Sequence, residues 1–217
     1  MTPAEMALRE EVVTAVRRLD ALGMNRGSTG NLSVRWSEGM LITPTGMGAD
    51  DLTAHDLVWQ GWDGSQAGLW KPSSEWHFHQ AAYLQRPDLN AVVHTHSTHA
   101  AALACLRRPL PAFHYMVAVA GGDNVPLVPY HLFGTEELSQ GVGEALRDRN
   151  ACLLATHGLV AAGGTLAQAM KVVQEIESLC EVYLKALAVG EPAILNADEM
   201  AAVLQRFKSY GRTAQAD

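Results

Sequence analysis

The sequence predicts an α/β fold in a single domain, with a central, mainly antiparallel sheet covered by helices. Its 217 residues, of which 48% are hydrophobic and 18% charged, suffice for one sizeable core. Short strand patterns joined by tight turns indicate hairpins, and helical patterns lie between them. Strands and helices do not alternate as parallel βαβ units require, and no repeat or linker divides residues 1–217.

The chain begins with a pattern typical of a helix. Thr2 suits the N-cap, Pro3 suits the first helical position, and Glu5 completes a capping box. Apolar residues then recur on one face, and Gly23 suits the position after a helix end. We therefore expect a first helix that ends before Gly23.

A hairpin is expected next. Residues 31–36 alternate between apolar and polar, which predicts a half-buried strand with Ser33 and Arg35 facing outward. A turn at residues 37–39 leads into a second strand at 40–43. Further strands are expected at 57–60, 91–95, 125–129, 151–156 and 159–162. Further helices are expected at 73–85, 97–106, 136–147, 166–188 and 198–207.

Charge and cysteine content exclude several classes of function. The formal net charge is −7 and Lys and Arg form no cluster, so we expect no nucleic-acid partner, whereas a small anionic substrate is compatible. No apolar run approaches the roughly 18 residues of a membrane span, and the N-terminal residues do not resemble a signal peptide. Three isolated cysteines indicate reduced thiols and a cytoplasmic protein.

The most informative feature is the triplet His94-Thr95-His96 at the end of an apolar run. Residues two apart in a strand point to the same side, so both imidazoles can converge on one point. Such a pair predicts a transition-metal site, with zinc as the first choice. His157 follows another apolar strand and precedes a glycine, which makes it the best third ligand. His77 and His79 also lie two apart, but in a helix they point in different directions, so we interpret them as packing or surface residues.

A carboxylate and three turns complete the set of candidate residues. Glu75 lies at a predicted helix start, where a capping charge is the simpler interpretation and proton transfer near a metal the functional one. The segments 27–31, 43–46 and 73–74 carry hydroxyls and backbone amides suited to phosphate, although each alone is more typical of a turn or cap. No nucleotide-binding motif is present.

Together these segments resemble the class II aldolase/adducin family, and most closely its L-fuculose-1-phosphate aldolase branch. The matching segments, which span nearly the whole chain, are GNLSVR at 30–35, LITPTG at 41–46, PSSE at 72–75, VHTHS at 93–97 and THGL at 156–159. The segments around Tyr115, Phe133 and Tyr210 are also similar to that branch.

The resemblance implies a ligand set and a cofactor. It implies a divalent metal ion, Zn²⁺ first and Co²⁺ or Mn²⁺ as alternatives, on His94, His96 and His157, with Glu75 as a fourth ligand in the resting enzyme. It implies a phosphate site formed by Ser28, Asn31, Thr45, Gly46, Ser73 and Ser74. The partner would be a small sugar phosphate, and the assembly a homotetramer with active sites at subunit boundaries.

The reaction implied is aldol cleavage of a ketose 1-phosphate to dihydroxyacetone phosphate and an aldehyde. The metal would stabilise the enediolate as a Lewis acid, so no Schiff-base lysine is required. Glu75 would move the proton at the enediolate carbon. Tyr115, in its own or a neighbouring subunit, would handle the proton of the C4 hydroxyl, and Tyr210 would close over the aldehyde end.

Three alternatives share this resemblance. One is a sugar-phosphate 4-epimerase, which the absence of an acidic residue between Asp88 and Asp123 disfavours. Another is a methylthioribulose-1-phosphate dehydratase, which would use the same three histidines. The third is a non-catalytic adducin-like scaffold, which the three histidines disfavour. The aldehyde is left open and includes lactaldehyde, acetaldehyde, glycolaldehyde and a methylthio-aldehyde.

Overall fold

The computed structural model describes residues 1–208, and a single eight-stranded sheet organises them. The strands are β1 Asn31–Trp36, β2 Gly39–Ile42, β3 Val58–Gly61, β4 Gln66–Ala67, β5 Ala91–Thr95, β6 Leu127–Val128, β7 Ala151–Leu154 and β8 Gly158–Gly163. The helices are α1 Pro3–Ala21, α2 Trp76–Gln85, α3 Thr98–Cys105, α4 Glu136–Ala145, α5 Leu166–Leu187 and α6 Ala197–Phe207. A 3₁₀ helix spans Tyr115–Ala120.

The sheet is mainly antiparallel, as predicted. Its strand order is β4-β3-β2-β1-β5-β8-β7-β6, and only β6 and β7 pair in parallel. β5 lies in the middle, between β1 and β8, with Asn31 opposite His94 and Val160 opposite His94 on the other side. The end of the central strand that carries His94 is therefore surrounded by residues of both neighbouring strands.

Helices cover both faces of the sheet, which gives three layers. Val93 packs into the core beneath α1, α3 and α5, whereas its neighbour Val92 packs into the core beneath α2 and α4. This alternation follows from the two-residue period of a strand. On the second face, α2 and α4 also pack against each other.

Most predicted elements are present with ends shifted by a few residues, and the first helix is capped as expected. The hydroxyl of Thr2 accepts a hydrogen bond from the Glu5 amide, but the Glu5 carboxylate pairs with Arg9. The helix after the two serines begins at Trp76, so Glu75 occupies its N-cap position.

The prediction that Ser33 and Arg35 face outward was wrong. Ser33 is fully buried, and Arg35 is half-buried, donating hydrogen bonds to the carbonyl oxygens of Tyr83 and Leu89. The physical reason is that α2 covers this face of the sheet, so the polar side of β1 meets protein and not water. Neither β4 nor the 3₁₀ helix was predicted.

The C-terminal helix packs against the 3₁₀ helix. Met200 of α6 is buried with Ala112 and Ala118. Tyr210 lies outside the described residues. Within residues 1–208, no helix has the length and apolar character that a membrane crossing requires.

Candidate metal centre

The ends of two adjacent strands bring three imidazoles together. His94 lies in β5, His96 follows that strand, and His157 lies in the turn between β7 and β8. Nε2 of His96 lies 2.9 Å from Nε2 of His94 and 3.1 Å from Nε2 of His157. The two-residue spacing thus places His94 and His96 on one side, as the sequence predicts.

Close backbone packing fixes the position of His96. Its amide donates a hydrogen bond of 3.2 Å to Oδ1 of Asn25. Gly30 passes directly over the Asn25 side chain, where a Cβ atom would overlap it, and has a φ of +73°. Only glycine fits that approach and that conformation without strain.

The turn that carries His157 is also tightly constrained. Thr156 has a φ of +57°, which is unusual for a β-branched residue and marks local strain. A Cβ atom on Gly158 would overlap the carbonyl oxygen of Thr95 and lie 3.3 Å from Cε1 of His94. This close strand approach is what directs His157 towards the other two rings.

Glu75 contributes the fourth group of the cluster. Its carboxylate is buried, with Oε2 at 3.3 Å from Nε2 of His94 and Oε1 at 3.3 Å from Nε2 of His157. The side-chain amide of Asn31 donates a hydrogen bond of 2.9 Å to Oε2. Among the described residues, Oε1 is one of two buried side-chain oxygens without a hydrogen-bond partner.

These four groups fit a divalent metal ion. All four potential ligand atoms lie within 4.8 Å of one another. Their separations of 2.9 to 3.3 Å are close to the edge of about 3.3 Å that zinc–nitrogen bonds give a tetrahedral site. The orphaned Oε1 of Glu75 is also explained if a cation is its partner.

The protonation of the imidazoles suits metal binding as well. Nδ1 of His94 lies 3.0 Å from the carbonyl oxygen of Leu159, which can only accept, so Nδ1 carries the proton and Nε2 presents a lone pair. Burial lowers the pKa of His94 well below its ordinary value, and the neighbouring His157 and His96 add to this effect. Burial, with His157, also lowers the pKa of His96 to about 4.

A cavity of about 690 Å³ adjoins the cluster. His96, His157 and Glu75 reach its wall, and so do all six residues that the resemblance assigned to phosphate: Ser28, Asn31, Thr45, Gly46, Ser73 and Ser74. None of the described residues that line it is Lys or Arg. Any anion bound here would therefore be held by neutral donors and by the α2 N-terminus.

Backbone hydrogen bonds join two of the three phosphate-suited segments. The amide of Ser73 donates to the carbonyl oxygen of Thr43, and the amide of Thr45 donates to that of Lys71. The segments at 43–46 and 73–74 consequently form one wall next to Glu75.

Tyr115, one of the predicted catalytic residues, lies away from the cluster. Tyr115 is 51% exposed and lines a different cavity with Leu89 and Gly163, at the opposite end of β5 and β8 from His94. Tyr210 lies outside the described residues. Phe133, in a segment that is similar to the family branch, does line the cavity next to the cluster.

Sequence reasoning missed several residues of the site. Tyr130 and His131 line the cavity, and Asn25 holds His96. His77 is exposed, as predicted for a surface residue, but His79 is buried and hydrogen-bonded to Asn31. The spacing of His77 and His79 was the one signal that could have pointed to His79. Residues two apart in a helix point in nearly opposite directions, so one of the two can be buried while the other is exposed.

The fold and the cluster together define a mixed α/β protein with a metal-type site of three histidines and one glutamate. Residues 10–184 match the family described as Class II Aldolase and Adducin N-terminal domain. The chain belongs to this family.

Its relatives are similar over nearly their whole lengths. The chain is 50% identical over 215 residues to a 5-methylthioribulose-1-phosphate/5-deoxyribulose-1-phosphate aldolase of Rhodospirillum rubrum, covering 99% of this chain and 97% of the relative. It is 45% identical over 205 residues to an L-fuculose phosphate aldolase of Escherichia coli K12, covering 94% and 95%. A solved L-fuculose 1-phosphate aldolase superposes with a TM-score of 0.89 at 38% identity, covering 92% of this chain and 95% of that one.

Proposed function

We propose that this protein is a divalent-metal-dependent aldolase that cleaves a ketose 1-phosphate to dihydroxyacetone phosphate and an aldehyde. The observation that carries the proposal is the shared cavity. A buried glutamate and two of the histidines of the cluster line the same space as three hydroxyl-rich segments. The family and the named activities of its relatives support this reaction class.

The phosphate end of the substrate would lie against the hydroxyl-rich segments. Ser28, Thr45 and Ser73 are close to backbone amides that can bind phosphate oxygens without a basic side chain. Gly46 has a φ of +71°, which lets its backbone follow the wall with no side chain between it and the ligand. Asn31 and Ser74 complete this proposed site.

His94, His96, His157 and Glu75 would hold the metal, for which the nitrogen-rich set favours Zn²⁺, with Co²⁺ and Mn²⁺ as alternatives. When bound, this ion supplies Lewis-acid stabilisation of negative charge on the carbonyl and hydroxyl oxygens of the substrate. His94 and Leu159 keep the ring orientation that this requires, because the Nδ1 hydrogen bond fixes the tautomer.

Glu75 is the proposed proton carrier. In the cleavage direction the C4 hydroxyl loses its proton, the C3–C4 bond breaks, its electron pair remains on the C2–C3 side, and C3 then gains a proton. Glu75 is next to the cluster and lines the cavity, so its carboxyl can deliver the proton to C3. The C4 proton requires a second group.

We assign that second group to Tyr115 of a neighbouring subunit. Tyr115 of the same chain lies at the far end of β5, yet it is half exposed and therefore available to another copy. This assignment requires a homo-oligomer with sites at subunit boundaries, and we propose the homotetramer. Tyr210 is proposed to close over the aldehyde end, and the cytoplasm is the proposed location.

The candidate substrates to be tested are taken from the named activities of the relatives. L-fuculose 1-phosphate, 5-deoxyribulose 1-phosphate and 5-methylthioribulose 1-phosphate share the dihydroxyacetone phosphate half and differ in the aldehyde. Tyr130 and Phe133, on the cavity wall, offer an apolar surface to that variable end.

The decisive experiment assays this panel with metal-loaded protein and identifies both products. We expect dihydroxyacetone phosphate with one matching aldehyde, loss of activity on chelation, and no lysine adduct on borohydride treatment. An epimerised or dehydrated sugar phosphate would replace the aldolase assignment with one of the alternatives. A borohydride-trapped lysine would refute the metal-dependent mechanism.

A further inference from the structure

We propose that His79 is a positioning residue for Glu75. It would act through Asn31, whose amide it holds in the one orientation that donates a hydrogen bond to the Glu75 carboxylate. The inference rests on the proposed function for the role of Glu75, but its geometric content does not depend on any substrate.

A continuous chain of buried polar groups leads away from Glu75 into the layer between β1 and α2. Oε2 of Glu75 accepts from Nδ2 of Asn31 at 2.9 Å, and Oδ1 of Asn31 lies 2.5 Å from Nε2 of His79. Nδ1 of His79 lies 2.7 Å from the Ser33 hydroxyl, which in turn lies 2.9 Å from the Tyr83 hydroxyl. Asn31, Ser33, His79 and Tyr83 are all buried.

The hydrogen bonds that link these buried groups can run in only one direction from donor to acceptor. An ionised Glu75 only accepts, so Asn31 presents its NH₂ group to Glu75 and its carbonyl oxygen to His79. Nε2 of His79 must then carry the proton, and Nδ1 must accept from the hydroxyl of Ser33. The Tyr83 hydroxyl donates to Ser33, either to its Oγ or to its carbonyl oxygen at 3.0 Å.

The direction of these hydrogen bonds decides whether the NH₂ group or the oxygen of Asn31 faces the Glu75 carboxylate. In the other tautomer, Nε2 of His79 would present a lone pair to Oδ1 of Asn31, and the amide would turn. The Asn31 oxygen would then face the Glu75 carboxylate, placing two acceptors in contact at a buried site. By preventing this, His79 keeps Oε2 of Glu75 held and leaves Oε1 free towards the metal cluster.

The surroundings of His79 keep its ring neutral and fixed. The side chain is fully buried, and its ring stacks on Phe78 with centroids 4.8 Å apart. Burial lowers its pKa to about 3, so the ring is neutral at neutral pH. The arrangement therefore has the features of a fixed support and not of a proton carrier.

The test compares His79→Leu, which removes both ring hydrogen bonds, with His79→Gln, whose side-chain amide reaches the position of Nε2. His77→Gln is the matched control, since His77 lies in the same helix but is exposed. Val142→Ala is the control for lost packing, because Val142 lies in the same buried layer and its apolar side chain cannot join the chain of hydrogen bonds. Each protein is assayed for kcat, KM, zinc dissociation constant and melting temperature.

We expect His79→Leu to lower kcat and weaken zinc binding by about 10–100-fold, as for other residues that support metal ligands, with a smaller change in KM. His79→Gln should recover most of both losses. His77→Gln should resemble the wild type, and Val142→Ala should lower the melting temperature without lowering kcat. Equal losses in the Leu and Gln variants, or losses in Val142→Ala that match those of His79→Leu, would overturn the proposal.

A second readout separates this proposal from the proposed function. In ¹⁵N-labelled wild-type protein, the imidazole nitrogens of His79 should show the neutral Nε2–H tautomer at pH 7. A neutral Nδ1–H tautomer or a charged ring would refute the proposed direction of the hydrogen bonds. If the wild type cleaves none of the ketose phosphates, the proposed function fails. The tautomer and zinc measurements still test whether His79 positions Glu75.

Discussion

The buried ring of His79 makes the stability of the protein depend on pH on the acid side of neutrality. An exposed histidine in the unfolded chain has a pKa near 6.5, whereas burial lowers the pKa of His79 in the folded protein to about 3. Below pH 6.5 the unfolded state therefore binds a proton that the folded state does not. Stability contributed by the neutral ring is fully present above pH 6.5 and is lost as the pH falls towards 3.

The size of the effect follows from the two pKa values. Each pH unit across this window costs about 1.4 kcal/mol, so the full loss is about 5 kcal/mol. By pH 5 the loss is already about 2 kcal/mol, a large fraction of the stability of an ordinary domain. The ring is fully buried, so little of this is reduced by solvent screening.

The assay is denaturant unfolding at pH 7.5 and pH 5.0, with metal-stripped wild type and His79→Gln. The other residues are identical in the two proteins, so the difference between the two pH-dependent losses isolates His79. We expect the wild type to lose about 2 kcal/mol more than the variant between these pH values. An equal loss in both proteins would refute the assignment of His79 as a buried neutral ring.

Three further predictions concern the cluster itself. His96→Ala and His157→Ala should each lower bound metal and aldolase activity together, measured by metal analysis and product formation; full activity in metal-free variant would contradict the assigned ligands. Glu75→Gln should retain much of the metal but lose ~10²–10⁴-fold in turnover, because the proton carrier is gone; a wild-type rate would remove Glu75 from that role. Gly158→Ala should weaken metal binding, because the added methyl group overlaps the Thr95 carbonyl oxygen next to His94; unchanged zinc affinity would show that this approach is not needed.

Much of the fold follows from local patterns in the chain. The alternation in residues 31–36 and the apolar run before His94 predict β1 and β5 with correct ends. Thr2 is predicted as the N-cap of α1, and the structure shows Thr2, Thr135 and Thr165 capping α1, α4 and α5, where each side chain accepts a hydrogen bond from a backbone amide. These signals are readable because they depend on neighbours within one or two turns.

The polar face of β1 shows where local patterns fail. Alternation predicts which side of a strand is apolar, but it cannot report whether a helix covers the other side. Ser33 is buried because α2 packs over it, and its hydroxyl then becomes part of the Ser33–His79 contact. The same reasoning explains why the sequence predicts His79 only as a packing or surface residue.

The candidate metal cluster was also predicted only in part from the sequence. The spacing of His94 and His96 predicts two candidate ligands on one side of a strand, and the position of His157 after an apolar strand predicts a third. The family resemblance adds Glu75 as a fourth, and the structure brings the four groups together. The structure adds the separations of the four groups, the unpartnered Oε1 of Glu75 and the tautomer of His94. It also places Tyr115 at the far end of the sheet, which sets the requirement for a second subunit in the proposed mechanism.

The sequence by itself therefore determined most strands and helices in their order, the pair His94 and His96, and the family, because each of these depends on short segments of the chain. Only the tertiary structure decided which buried atoms face one another. Hydrogen-bond direction depends on contacts between residues 44 to 50 positions apart, such as Asn31 with Glu75 and Ser33 with Tyr83. No local rule carries that information, because it arises when β1 and α2 pack and exclude water from the groups between them.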